Sequence, residues 1–189
     1  ASREIETIVG PDNLLIDPAS RAQHTRGWSL TDILKMRSGD CGDAPDAVVL
    51  PGSHDEVAEL LKVCSEHRIA VTPFSGGTSV VGGLVAERSE FTAVVSLDLR
   101  RLTDFAIDEV SHIANLGAGL RGLTAEKMLR EAGFTLTLVP DAHACCGSAG
   151  TYSILQPALS GQLLANKVKA LESGSPAALC TSNIGCLLH

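Results

Sequence analysis

The chain holds 189 residues at a net charge of −7, with 44% hydrophobic and 20% charged side chains, a balance that supports one well-packed domain or two small ones. The acidic balance, with no cluster of Lys and Arg, excludes a nucleic-acid partner, because phosphate contacts need gathered cations. No apolar run reaches the roughly 20 residues that cross a bilayer, so no membrane span is expected.

The opening Ala-Ser-Arg-Glu-Ile-Glu lacks the basic-then-apolar order of a signal peptide, and a cytoplasmic location is the expectation. A first residue of Ala rather than Met marks the N-terminus as trimmed or incomplete. Cysteines at 41, 64, 145, 146, 180 and 186 do not space like a secreted disulfide framework, which leaves reduced thiols or metal ligands. Residues 1–44 form a turn-rich lead-in containing Gly27-Trp28-Ser29 and a short helical run at Leu30 to Met36. Trp28 reads equally as a packing anchor or a cofactor contact, and the lead-in carries no chemistry that can be named.

A strand at Val48-Val49-Leu50 precedes Ser53 and Glu56, which read as an S-x-x-E capping box. Val57, Leu60, Leu61 and Cys64 then repeat at helical spacing, predicting a helix over 54–67 with Cys64 on its buried face. His67 and Arg68 suit the negative end of that helix, and His54 and His67 read as surface residues. A strand at Ala70 to Thr72 feeds a glycine-rich loop made of Pro73, Phe74, Ser75, Gly76, Gly77, Thr78, Ser79, Val80, Val81, Gly82 and Gly83. Glycine lets the backbone approach a diphosphate, and successive N–H groups form an anion-binding nest. The loop is neither a Walker A sequence nor G-x-G-x-x-G; the alternative is a surface turn joining two strands. A strand at Thr92 to Leu97 follows, then Asp98 and Arg100-Arg101 as a solvated polar turn. Ile107 and Ile113 to Leu116 form a strand pair, Gly117-Ala118-Gly119 follows, and a helix spans Leu123 to Ala132 with Gly133 at its C′ position. The expected class is α+β with a mixed sheet; a doubly wound sheet competes, but hairpin-like pairs leave too few crossover helices for it.

With Asp46 to Pro51 upstream and Val94 to Asp98 downstream, the loop resembles the FAD-binding (PCMH-type) domain of the vanillyl-alcohol oxidase / p-cresol methylhydroxylase class of flavoproteins, over about residues 5 to 136. Within that class the chain looks most like alkylglycerone-phosphate synthase-like and glycolate/lactate oxidase-like enzymes. The resemblance implies that Pro73 to Ser79 wrap the FAD pyrophosphate and that Gly82 and Gly83 hold the loop's shape. It implies hydride transfer to the flavin from a small 2-hydroxy acid or related alcohol, with Thr78 and Ser79 hydroxyls adding hydrogen bonds. Past residue 136 the pattern stops, without the family's second FAD-contacting turn or its substrate domain. No residue is assigned as catalytic base.

The remainder, Leu138 to Tyr152 with Cys145-Cys146-Gly147, then Leu155-Gln156-Pro157 and Thr181 to Cys186, resembles the C-terminal cysteine-rich (CCG) domain of the glycolate oxidase iron-sulfur subunit, related to heterodisulfide reductase subunits. That resemblance covers about residues 133 to 189 and places a seam at 132–136, as in a chimera or internal deletion. The expected layout is a lead-in at 1–44, a truncated FAD-binding domain at 45–136 and a small cysteine-rich α/β segment at 137–189. Cys145, Cys146, Cys186 and Cys180 are candidate ligands for an iron-sulfur cluster or zinc, against the alternative of structural thiols. The related pattern's upstream cysteine is missing, and Asn183 stands at one of its ligand positions. His143 and His189 are nitrogen ligands or ordinary packed or solvated residues. A helix from Pro157 to about Leu171 presents Leu159, Leu163, Leu164, Val168 and Leu171 as its apolar face and Asn166, Lys167 and Lys169 to solvent; Gly174 and Pro176 end it, and Ala178 to Thr181 read as a short strand. Three functions follow: an FAD-dependent oxidoreductase or its FAD-binding remnant, working with a redox partner subunit; an iron-sulfur electron-transfer or subunit-interaction module; or an inactive truncated fusion.

Overall fold

A computed structural model of the chain describes residues 1–85, 88–108, 110–111, 113–148, 152–179, 181 and 186. The chain divides into two compact units, Ala1–Ala132 and Gly133–His189. In the first unit the elements run α1 (Ser2–Val9), β1 (Leu14–Leu15), α2 (Pro18–Gln23), α3 (Leu30–Arg37), β2 (Ala47–Val49), α4 (His54–Glu66), β3 (Ile69–Phe74), β4 (Ala93–Asp98), β5 (Phe105–Asp108), β6 (Ile113–Leu116) and α5 (Gly122–Glu131).

The four-stranded sheet has the order β1-β2-β4-β3. β2, β4 and β3 are parallel and β1 is antiparallel to β2, so the sheet is mixed and the class is α+β. Parallel neighbours need a crossover of a dozen or more residues. Between β2 and β3 that crossover is α4. Between β3 and β4 it is residues 75–92, whose described residues contain no helix, so the glycine loop starts that crossover at the carboxyl end of β3. β5 and β6 form a separate antiparallel ribbon.

Strand side chains alternate between faces. Ala47, Val49, Val95 and Leu97 share the core with Ile5 and Val9 of α1 and Leu60 and Cys64 of α4. Cys64 is buried as its periodicity predicts, and burial pushes its thiol up. Val48, Val94, Ser96 and Asp98 face the other way, and all are buried. α4 starts with Ser53 Oγ accepting the Glu56 N–H at 3.1 Å. The second half of the predicted capping box is displaced by one residue, because the Glu56 carboxylate accepts from Gly52 N at 2.7 Å. α3 has the complete box, between Ser29 and Asp32.

The second unit contains α6 (Tyr152–Leu155) and α7 (Pro157–Glu172). Gly133 has φ +93, the left-handed conformation expected at a C′ position. The buried face of α7 differs from the predicted apolar one: Ser160 is fully buried, while Leu159, Leu163 and Val168 are exposed. Packing on the 145–147 turn decides this, for Ser160 Oγ donates to Gly147 O at 3.0 Å. Gly147, at φ +88, would set a Cβ 2.9 Å from Ser160 O. Lys167, expected in solvent, donates to Ala142 O at 2.8 Å. Ala178 and Leu179 carry no strand pairing, and Cys180 lies outside the described residues.

Candidate cofactor site

In open sheets with parallel strands, ligands bind beyond the carboxyl ends of the strands. At that edge β3 runs on through Pro73 and Phe74, paired with Leu97 and Asp98, so the first two residues of the predicted loop complete the strand. Ser75 Oγ donates to Ala118 O at 2.7 Å, tying the loop to the Gly117–Gly119 turn. That turn lies so close to the 99–102 segment that a Cβ at Gly119 would fall 2.4 Å from Arg100 O, and one at Gly117 2.3 Å from Leu102 O.

Gly77 is buried, with φ +67. A Cβ there would sit 2.7 Å from Phe74 Cζ, so only glycine allows both the turn and the close ring. The N–H groups of Gly76, Gly77 and Thr78 donate to no protein acceptor among the described residues. Of the three only Gly77 is buried, and Gly76 and Thr78 are exposed, so the N–H groups of those two face solvent or a ligand. A run of unpaired ones around a left-handed glycine is the donor set of an anion nest, and it fits a diphosphate.

The far side of the loop is clamped by the lead-in. Trp28 N donates to Ser79 O at 2.6 Å, and a Cβ at Gly27 would come within 2.3 Å of that oxygen. Trp28 is 61% exposed, so its backbone and not its ring does the holding. Ser79 Oγ accepts from Gly83 N at 3.2 Å, and Gly82 turns the chain at φ +72. The lead-in, given no role on sequence grounds, therefore closes the loop.

Beneath the loop lies a buried ionic network that sequence reading missed. The Phe74 ring packs on His24, centroids 4.3 Å apart. His24 Nε2 is 2.7 Å from Asp98 Oδ2 and Nδ1 is 2.7 Å from Ser20 O. Arg100 donates to Asp98 from its backbone N at 3.0 Å and from Nε at 2.7 Å. Asp98, expected in a solvated turn, is fully buried. Burial disfavours its charge, but hydrogen bonds from His24 and Arg100 outweigh that and hold its carboxyl down at about 2. The same pairing raises Arg100. Arg26, one residue before Gly27, bonds Asp43 and Asp40 O through Nη2 and keeps Nη1 buried without a partner among the described residues. The only sequence signal for this network was polar residues in buried company, which cannot be seen before the sheet forms.

In the second unit Cys146 Sγ lies 3.2 Å from Cys186 Sγ and 3.2 Å from Ser148 Oγ, whereas Cys145 Sγ accepts from Gly147 N at 3.3 Å. Burial pushes the Cys146 thiol up, but the Ser148 and Cys186 hydrogen bonds outweigh it and leave the thiol below its ordinary value. The bond to Cys146 raises Cys186. Among the described residues no group of three or more His, Cys, Asp and Glu side chains gathers to hold a metal ion. Cys180, Asn183 and His189 lie outside the described residues. His143 lines a shallow cleft with Pro140, Asp141 and Asn166.

Comparison with known proteins matches the FAD binding domain family to residues 45–154, a span that runs past the boundary between the units at residue 132. The chain is 35% identical over 142 residues to alkyldihydroxyacetonephosphate synthase of Dictyostelium discoideum, covering 74% of this chain and 23% of that protein. It is 31% identical over 103 residues to a mitochondrial D-lactate dehydrogenase [cytochrome] of Arabidopsis thaliana, covering 54% of this chain and 18% of that one. Over 64 residues it is 59% identical to the glycolate oxidase iron-sulfur subunit of Escherichia coli K12, covering 34% and 16%. Among solved structures, an alkyldihydroxyacetonephosphate synthase superposes at TM-score 0.67 with 34% identity, over 74% of this chain and 26% of that one. p-Cresol methylhydroxylase, at 19% identity, superposes at TM-score 0.57 over 75% and 26%, which shows a shared fold. The chain thus spans less than a quarter of the length of these curated relatives.

Proposed function

The chain belongs to the FAD-binding domain family, and on that premise we propose that Pro73 to Ser79, with Gly82 and Gly83, hold the FAD diphosphate in an oxidoreductase acting on a 2-hydroxy acid or related small alcohol. The observation that carries this is the row of unpartnered N–H groups at Gly76, Gly77 and Thr78 around a buried left-handed glycine. Those groups bind the diphosphate oxygens, Thr78 Oγ1 adds a donor, and the Phe74 ring keeps water from the underside of the turn. FAD, when bound, supplies the hydride acceptor. The likeness to a D-lactate dehydrogenase supports the substrate class, and the likeness to an iron-sulfur subunit supports a redox partner. The thiols at Cys41, Cys64, Cys145 and Cys146 support a reducing, cytoplasmic setting. No helix among the described residues is long and apolar enough to cross a membrane. The division into a lead-in at 1–44, a flavin-binding part at 45–136 and a cysteine-rich part at 137–189 belongs to the same proposal.

The test is a titration of the chain with FAD, followed by flavin fluorescence. Binding with Kd in the range of about 1 μM, some 8 kcal/mol, is expected, together with loss of at least about tenfold in Gly77→Ala, since the left-handed turn and the Phe74 contact each cost on the order of 1 kcal/mol. Fluorescence unchanged at saturating FAD, or a Gly77→Ala chain that is folded and binds as well as the parent, would sink the proposal.

A further inference from the structure

Gly77 carries the left-handed turn of the nest, at φ +67. Glycine adopts either sign of φ with little preference, so a contact from outside the turn has to hold it there before a ligand arrives. The Phe74 ring supplies that contact, with Cζ 2.7 Å from the place a Cβ at Gly77 would take. The same ring meets His24, centroids 4.3 Å apart and planes tilted by 50°. His24 is 3% exposed and is tied at both ring nitrogens, Nε2 lying 2.7 Å from Asp98 Oδ2 and Nδ1 2.7 Å from Ser20 O. Asp98 is fixed in turn, fully buried and bonded by the backbone N and Nε of Arg100. Contacts therefore run without a break from the ends of α2 and β4 to the turn.

Given the diphosphate reading of the loop, on which this rests, we propose that His24 is a positioning residue for the diphosphate. It holds the Phe74 ring against Gly77 and so fixes the convergence of the Gly76, Gly77 and Thr78 N–H groups before the ligand binds. A nest aligned in advance loses none of its affinity to ordering the turn. Without the imidazole, the Phe74 ring gains rotamers and Gly77 regains its other backbone conformations, and binding has to order both. Asp98 and Arg100 act one step further back, by keeping His24 in place.

The experiment measures FAD affinity by flavin fluorescence for the parent, His24→Gln, Phe74→Leu and the double variant, each checked for folding by urea denaturation. ADP, which carries the diphosphate without a flavin, is read by competition with FAD. His24→Gln keeps a polar group for Asp98 and removes the ring that meets Phe74. Each single variant is expected to weaken both ligands about tenfold, and the double variant no more than either alone, because the two residues act in series. Leu60→Ala, which loosens the core on the opposite face of the sheet, is expected to lower stability and leave affinity within about twofold. Should His24→Gln not fold, Asp98→Asn takes its place in the cycle, since it frees the same imidazole. A parent that does not bind FAD overturns the diphosphate reading and this role with it. With the parent binding, the positioning role alone is overturned by a folded His24→Gln or Phe74→Leu chain of parental affinity, by single losses that multiply in the double variant, or by an equal loss in Leu60→Ala.

Discussion

Asp98 shows how one side chain links stability to pH. Its carboxyl sits at about 2 against an ordinary 3.8, so the native state binds its proton less tightly than the unfolded chain does. The stability it contributes is complete above pH 3.8 and is lost as the pH falls toward 2. Asp98→Asn is expected to flatten that acid limb in equilibrium unfolding. It should also cost about 1–3 kcal/mol at neutral pH, because His24 and Arg100 lose a charged acceptor; an unchanged acid limb would show that the charge lies elsewhere. The substitution acts on the loop too, since His24 supports the Phe74 ring that lies against Gly77. Gly77 itself was singled out from sequence on the strength of its glycine pair. His24 was not, because a histidine in a turn-rich segment has no local mark of its partner 74 residues away.

At the scale of elements, α4 determines whether the sheet keeps its crossover. Leu60 is 1% exposed, at the centre of the cluster formed with Val49, Val95 and Leu97. Leu60→Ala is expected to cost about 2–5 kcal/mol by urea denaturation, whereas Leu61→Ala, at a 48% exposed position, should cost less than about 0.5 kcal/mol. Equal losses would mean the helix packs on a different face. The same periodic reasoning succeeded for α4 and failed for α7, and the difference is physical. α4 lies on a sheet that covers Leu60 and Cys64, with Val57 and Val63 packed beside them and Leu61 left at the edge. In α7 the fixed contact is a serine hydroxyl on the Gly147 carbonyl, which turns Leu159 and Leu163 outward.

On the scale of the whole molecule, the first unit has a sheet with both faces covered, and the described residues of the second include α6 and α7 with large exposed side chains. Ile154 and Leu155 of α6 and Leu159 of α7 are 76%, 70% and 50% exposed, and apolar surface of this kind marks contact sites or aggregation liabilities. The chain is therefore expected to bind an apolar dye and to self-associate with rising concentration. Leu159→Glu with Ile154→Glu should reduce both effects while leaving FAD affinity unchanged. If light scattering and dye binding do not respond to the double substitution, those side chains are covered in solution.

The sequence by itself determined the elements whose cause is local: the α4 and α5 helices from spacing and terminal residues, the strands from their apolar runs, and the glycine loop from its lack of Cβ atoms. The expected mixed sheet is present, but its antiparallel member is β1 in the lead-in, where no strand was expected, and the expected hairpin-like pair forms a separate ribbon. Tertiary structure alone decided that β3 and β4 are parallel neighbours joined by the glycine loop, that Gly27 and Trp28 clasp Ser79, and that Asp98 is buried against His24. It also decided which cysteines meet. Each of these joins residues far apart in the chain, and a polar side chain declares its partner only when the fold removes both from water.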